Sequence, residues 1–118
     1  MINVSVNAGR LNKRVNIYRY TTITDSLGQD KTVLRLVKTV WAELRPTRGT
    51  EFIEYYKEAN ALQYKVTMRY LSELTEKDVL VYHDRQFAIN SIINIMEDNA
   101  YMEVYCTETK DKKIFEEV

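Results

Sequence analysis

The amino-acid sequence predicts a mainly β domain: a small barrel or sandwich of about six short strands, with one short helical insertion near its middle. Three observations carry this. Apolar and β-branched residues alternate with polar ones in several separate runs, the two-residue period of half-buried strands. Turn-forming residues separate those runs at short intervals, as small all-β domains require. Only residues 50–60 show the three-and-four spacing of an amphipathic helix.

Residues 1–9 are small and polar, end at Gly9 and read as a flexible arm ahead of a single domain over 10–109. The first strand opens Arg14-Val15-Asn16-Ile17-Tyr18-Arg19-Tyr20, with Val15 and Ile17 on one face. Asp25-Ser26-Leu27-Gly28 suits a tight turn, because glycine tolerates positive φ. Residues 31–44 return as a long second strand. There Val40, Ala42 and Leu44 share one face, while Trp41 and Glu43 take the other. Pro46 and Gly49 end that strand, and residues 45–60 form the insertion. Thr50 can cap its helix, Glu51 favours the first turn, and Phe52, Tyr55, Tyr56 and Ala59 fall on one face.

The cleanest alternation comes next, with Tyr64, Val66, Met68 and Tyr70 set against Lys65, Thr67 and Arg69. Residues 79–82 and 86–93 flank a short link at His83-Asp84-Arg85. Residues 101–107 give a last strand with Met102, Val104 and Cys106 on one face. The expected core is Val15, Ile17, Val40, Ala42, Leu44, Val66, Met68 and Ile89. This set of strands suits an SH3-like β-barrel or sandwich. Residues 110–118 form a charged tail.

A chain of 118 residues is one domain by length. Its 45% hydrophobic and 29% charged content is that of a globular rather than a disordered chain. No apolar run approaches the roughly 20 residues that span a bilayer, so no membrane role is expected. The first residues lack a basic stretch followed by a long apolar one, so no secretory signal is expected. A single cysteine, Cys106, cannot form an internal disulfide, which fits a reducing cytoplasm. Formal net charge is zero, yet residues 1–48 hold nine Lys/Arg and three Asp/Glu, and residues 49–118 hold eight and fourteen. If folding keeps these halves on different faces, a basic face of one copy can meet an acidic face of the next.

Nothing in the chain assembles into a catalytic set. His83 is the only histidine and sits in a turn. Cys106 lies on an apolar strand face, where thiols pack as small hydrophobes. Glu51, Glu54 and Glu58 lie loosely on one helix side with Lys57 interleaved, as a solvated face would. Residues 25–30 offer too few oxygen ligands for a calcium loop, and three glycines make no phosphate-cradling loop. No enzyme, cofactor or metal is expected. Arg10, Lys13, Arg14 and Arg19, interleaved with Tyr18 and Tyr20, could grip phosphates and stack bases, which keeps a nucleic-acid-binding barrel as an alternative. Zero net charge argues against it. Nine tyrosines and Trp41 are also common anchors of protein interfaces, so Arg10, Lys13 and Arg14 are the candidate contact with another copy or partner.

Several short motifs occur in a distinctive order: Gly9-Arg10-Leu11, Arg14-Val15-Asn16-Ile17, Asp25-Ser26-Leu27-Gly28, Trp41-Ala42, Gly49-Thr50-Glu51 and Arg69-Tyr70. Over residues 8–107 this order resembles the head–tail adaptor (head-closure, or stopper) proteins of long-tailed bacteriophages and prophages. The resemblance implies a structural protein of the virion neck that joins the portal/adaptor of the capsid to the tail. It implies closure of the DNA channel after packaging, with DNA met only in that channel. The implied partners are the portal/adaptor ring and a tail-completion protein. The implied state is a dodecameric or hexameric ring in the virion, made in the host cytoplasm. In isolation a monomer is expected, because the alternating hydrophobic residues are used up in one core. By the same resemblance, Arg48, Gly49, Glu51, Phe52, Glu54, Tyr55 and Glu58 are candidates for gating the channel. A neighbouring tail-joining component with a similar barrel is the alternative within this class. The chain departs from the family where a second tryptophan often precedes Trp-Ala; here Leu34 and Leu36 stand instead, and leucine can fill that core site.

Overall fold

The alternating segments pair as six antiparallel strands that close on themselves in the order β1-β2-β3-β6-β5-β4. The computed structural model describes residues 6–47 and 63–109. The strands are β1 (Lys13–Thr24), β2 (Asp30–Pro46), β3 (Gln63–Arg69), β4 (Val79–Tyr82), β5 (Arg85–Asn94) and β6 (Tyr101–Thr109). Closure removes the free strand edges that an open sheet would expose to aggregation. This is the mainly β barrel that the sequence pattern predicts.

The two-residue period decides which side chains enter the barrel. Val15, Ile17, Ala42, Val66, Met68, Leu80, Phe87, Ile89, Met102, Val104 and Cys106 form the buried cluster. Val40 and Leu44 are partly buried against it. Phe87 meets Tyr64 edge-to-face with ring centroids 5.2 Å apart, a favoured aromatic geometry. A smaller cluster of Leu34, Val79 and Val81 packs with Tyr18. Leu34 is thus buried, as expected for the missing tryptophan's site, whereas Leu36 is half exposed.

Two bulges shape the wall. Ile17 pairs with Lys38 and Tyr18 with Leu36, so Val37 is the extra residue of β2, and it packs against the core. Ile89 pairs with Cys106 and Ser91 with Tyr105, leaving Asn90 to donate from Nδ2 to Thr107 Oγ1 at 2.8 Å. Bulges sharpen local twist and allow so small a barrel to curve shut. The β1–β2 hairpin turns on Asp25, whose Oδ1 accepts from the backbone N–H groups of Leu27 and Gln29, both at 2.9 Å. Gly28 follows with φ of 78°, which only glycine adopts without strain.

Some boundaries differ from the sequence expectation. Strand β2 continues through Arg45 and Pro46, which pair with Lys65 and Tyr64. Proline is tolerated there because the ladder ends at that residue. Arg85 pairs with Tyr82, so the β4–β5 link shrinks to His83 and Asp84. The end of the expected arm folds as a 3-10 turn over Ala8–Arg10, capped by Asn7, whose side-chain oxygen accepts from Gly9 N–H at 3.0 Å. Leu11 is buried and anchors that turn. The helix expected over residues 50–60 and the tail 110–118 lie outside the described residues.

Candidate assembly surface

On the outer wall, one row of side chains crosses four strands. Arg14 of β1 pairs with Trp41 of β2, and its guanidinium lies 4.6 Å from the indole centroid. Ala42 pairs with Met68, so one further step of the register sets Trp41 beside Arg69 of β3. Arg69 in turn pairs with Tyr101 of β6, its guanidinium 5.6 Å from the ring. Ala42, Met68 and Met102 point inward and are buried, so the residues between them point outward. Trp41 is 52% exposed. A row of arginines stacked on aromatics brings together the residue types enriched in interface hot spots.

The three candidate contact residues divide among different settings. Arg14 belongs to this row. Lys13 pairs with Ala42 at the start of β1. Arg10 sits on the 3-10 turn and lines a cleft of about 420 Å³ with Glu43, Lys65, Thr67, Ile95 and Glu103. Within that cleft Lys65 Nζ lies 3.2 Å from Glu103 Oε2. The fourth member of the basic cluster, Arg19, is committed elsewhere. Its Nε and Nη2 donate to the two Asp78 carboxylate oxygens at 2.8 and 2.9 Å, and Nη2 also reaches the Glu73 carbonyl at 2.8 Å. Asp78 further accepts from Thr75 N–H at 3.0 Å. Burial alone would push the Asp78 carboxyl up, but Arg19 and Thr75 together hold it below the usual carboxylate range. That pair is a structural tie between β1 and the β3–β4 loop, so the interleaved basic–tyrosine cluster loses one of its cations. The missed residues are Arg69 and Tyr101, whose place in one row with Trp41 depends on strand order alone.

Charge divides the wall. Strands β1, β2 and β3 are contiguous, and residues 6–47 and 63–69 carry ten Lys/Arg and three Asp/Glu. Strands β6, β5 and β4 form the remaining arc, and residues 70–109 carry two Lys/Arg and eight Asp/Glu. Among the described residues, most basic charge therefore lies on one side of the barrel and most acidic charge on the other, with β3 of the second half joining the basic side.

The remaining candidates have quiet settings. Cys106 is buried with its thiol pushed up to about 12 by burial, so it stays protonated and unreactive near neutrality. His83 is exposed in the β4–β5 turn with φ of 56°, its ring 4.2 Å from that of Tyr82. Among the described residues, no group of three His, Cys, Asp or Glu side chains is placed to hold a metal ion, and no helix is long and apolar enough to cross a membrane. Arg48, Gly49, Glu51, Phe52, Glu54, Tyr55 and Glu58 lie outside the described residues. Thr47 and Gln63, the last and first described residues on either side of that segment, are clasped: Thr47 N–H and Oγ1 both donate to the Gln63 carbonyl, at 2.8 and 3.0 Å.

Residues 6–109 match the family model described as phage head completion protein. The chain belongs to this family. Its role is structural, in completing the phage head, and the match takes in all six strands. No curated protein is significantly similar in sequence. Among solved structures, protein SF1141 from Shigella flexneri 2a is similar, with a TM-score of 0.68 and 19% identity. That likeness covers 91% of this chain and all of the other. A chain from the virion of a native gene transfer agent particle is similar as well, with a TM-score of 0.59 and 14% identity. It covers 85% of this chain and 96% of that one. At these identities the two likenesses establish the shared fold.

Proposed function

We propose that this head completion protein is a component of the virion neck, joining the portal/adaptor ring of the capsid to the tail and closing the DNA channel after packaging. The family match over the complete barrel carries this reading. The fold shared with a chain of a gene transfer agent virion supports it, because that chain too is part of a virion. The barrel itself suits the task. Closed strands resist edge-to-edge aggregation while many copies crowd at one site, and the wall offers two differently charged surfaces for neighbours. The partners are then the portal/adaptor ring and a tail-completion protein. The protein is monomeric when made in the host cytoplasm and ring-forming on its partner.

The test is a phage in which this chain is not translated. Packaged heads should accumulate without tails and lose DNA, and supplying the chain in trans should restore tailed particles. Normal tailed virions made without the chain would refute the neck role. If the heads retain their DNA but bind no tail, the chain is a tail-joining component and not the closure.

A further inference from the structure

The turn between β5 and β6 is unusual in three ways at once. Met96, Glu97 and Asn99 all have positive φ, at 56°, 54° and 57°, although none is glycine. Such backbone is strained for residues with a Cβ, and it persists where the surroundings or the function require it. This backbone presents Met96 at 64% exposure and, just before it on β5, Ile93 at 46%. Glu97 and Asp98 flank them, exposed and without an ion-pair partner among the described residues. The result is an apolar knob rimmed by two carboxylates.

The complement of that knob is on the same molecule. The row Arg14, Trp41, Arg69, Tyr101 offers two guanidiniums, neither with a carboxylate partner among the described residues, on either side of a half-exposed indole. Methionine sulfur packs well on aromatic rings, and paired guanidiniums suit paired carboxylates. At strand spacing the row extends about 14 Å, enough to seat a turn of this size. The knob and the Arg14 end of the row lie on β5 and β1, separated by only β4 on one side of the closed wall and by β2, β3 and β6 on the other. Asn94 pairs with Met102, so the knob adjoins the Tyr101 end of the row, yet within one copy neither Glu97 nor Asp98 pairs with Arg14 or Arg69 among the described residues. A contact between unlike surfaces propagates from copy to copy, into a ring when the rotation closes.

We propose that the Ile93–Asp98 knob of one copy docks on the Arg14–Trp41–Arg69 row of the next, and that this is the lateral contact between copies in the assembled neck. The proposal rests on the neck reading above for its setting but not for its surfaces. The test uses the whole chain carrying Arg14→Cys or Asp98→Cys, joined by a short bismaleimide. Cys106 does not compete, because it is buried and protonated. In concentrated protein the mixed pair should crosslink about tenfold more than either variant alone, less at high salt. The double variant should give a ladder, because unlike contacts propagate. Adding Arg69→Glu to the Arg14→Cys chain should suppress the mixed product, and Glu97→Lys on the Asp98→Cys chain should restore it.

The same double variant is then crosslinked inside assembled particles. Crosslinks within particles support the proposal even where free protein stays monomeric. If the chain is in particles but crosslinks in neither setting, the surfaces are wrong and the neck role stands. If the chain is missing from particles, the neck role fails and crosslinking in solution alone decides the surfaces. Equal self-crosslinking of each variant, or indifference to Arg69→Glu, overturns the proposal, as does crosslinking of the row to an adaptor protein in place of a second copy.

Discussion

The two arcs of the barrel wall are built by the same rule and end with opposite exteriors. Inside, β1-β2-β3 and β6-β5-β4 are interchangeable in kind: each sends alternate valine, isoleucine, methionine or phenylalanine side chains into one cluster. Outside, the first arc carries Arg14, Arg69 and Trp41, and the second carries Glu97, Asp98 and Glu103. Alternation dictates only that outward positions be compatible with water. Which charge or ring stands there costs the fold almost nothing, so the exterior is free to be selected for partners. Inward positions have no such freedom.

The largest effect should come from breaking the shared interior. Phe87→Ala removes a fully buried ring from the centre of the cluster and should cost about 3–5 kcal/mol of folding stability, read from urea or guanidinium midpoints. A cost below about 1 kcal/mol would mean that the two arcs do not share one core.

The next effect tests the tie between arcs. Asp78→Ala leaves Arg19 without its carboxylate and releases Thr75 N–H, and should cost about 2–3 kcal/mol. The same tie should show in pH dependence. The Asp78 carboxyl is held down in the folded state, so the stabilisation is complete above its unfolded value of about 3.9 and fades as pH falls through the lower folded value. Denaturant midpoints of the wild type should therefore drop more steeply on acidification than those of Asp78→Asn. Parallel curves would remove Asp78 as the linked group.

A smaller effect belongs to the basic hairpin alone. Gly28→Ala forces a side chain into left-handed backbone and should cost about 1 kcal/mol, with no cavity formed and with space free around the new methyl. The smallest effect sharpens the comparison best. Trp41→Ala on the outer wall should change stability by less than about 1 kcal/mol while sharply weakening association between copies. A loss as large as that of Phe87→Ala would show that Trp41 works for the core rather than for a partner.

The sequence alone determined the strand class and most of the inward residues, because alternation and local turn chemistry act over a few residues, and the order of its short motifs carried the family resemblance. Val15, Ile17, Ala42, Val66 and Met68 could be assigned inward from period two without knowing any partner strand. Asp25 and Gly28 announced their turn by side-chain and backbone chemistry that needs no tertiary context. Strand order was not local, and it decided the surface. Arg69 becomes a neighbour of Trp41 only because β3 lies against β2, and Tyr101 joins them only because the chain skips from β3 to β6. The commitment of Arg19 to Asp78, 59 residues away, was equally invisible, since any of several arginines could have filled that role. Period two specifies which face a side chain takes, whereas neighbours across strands follow from the one closure of six strands that buries every apolar face at once.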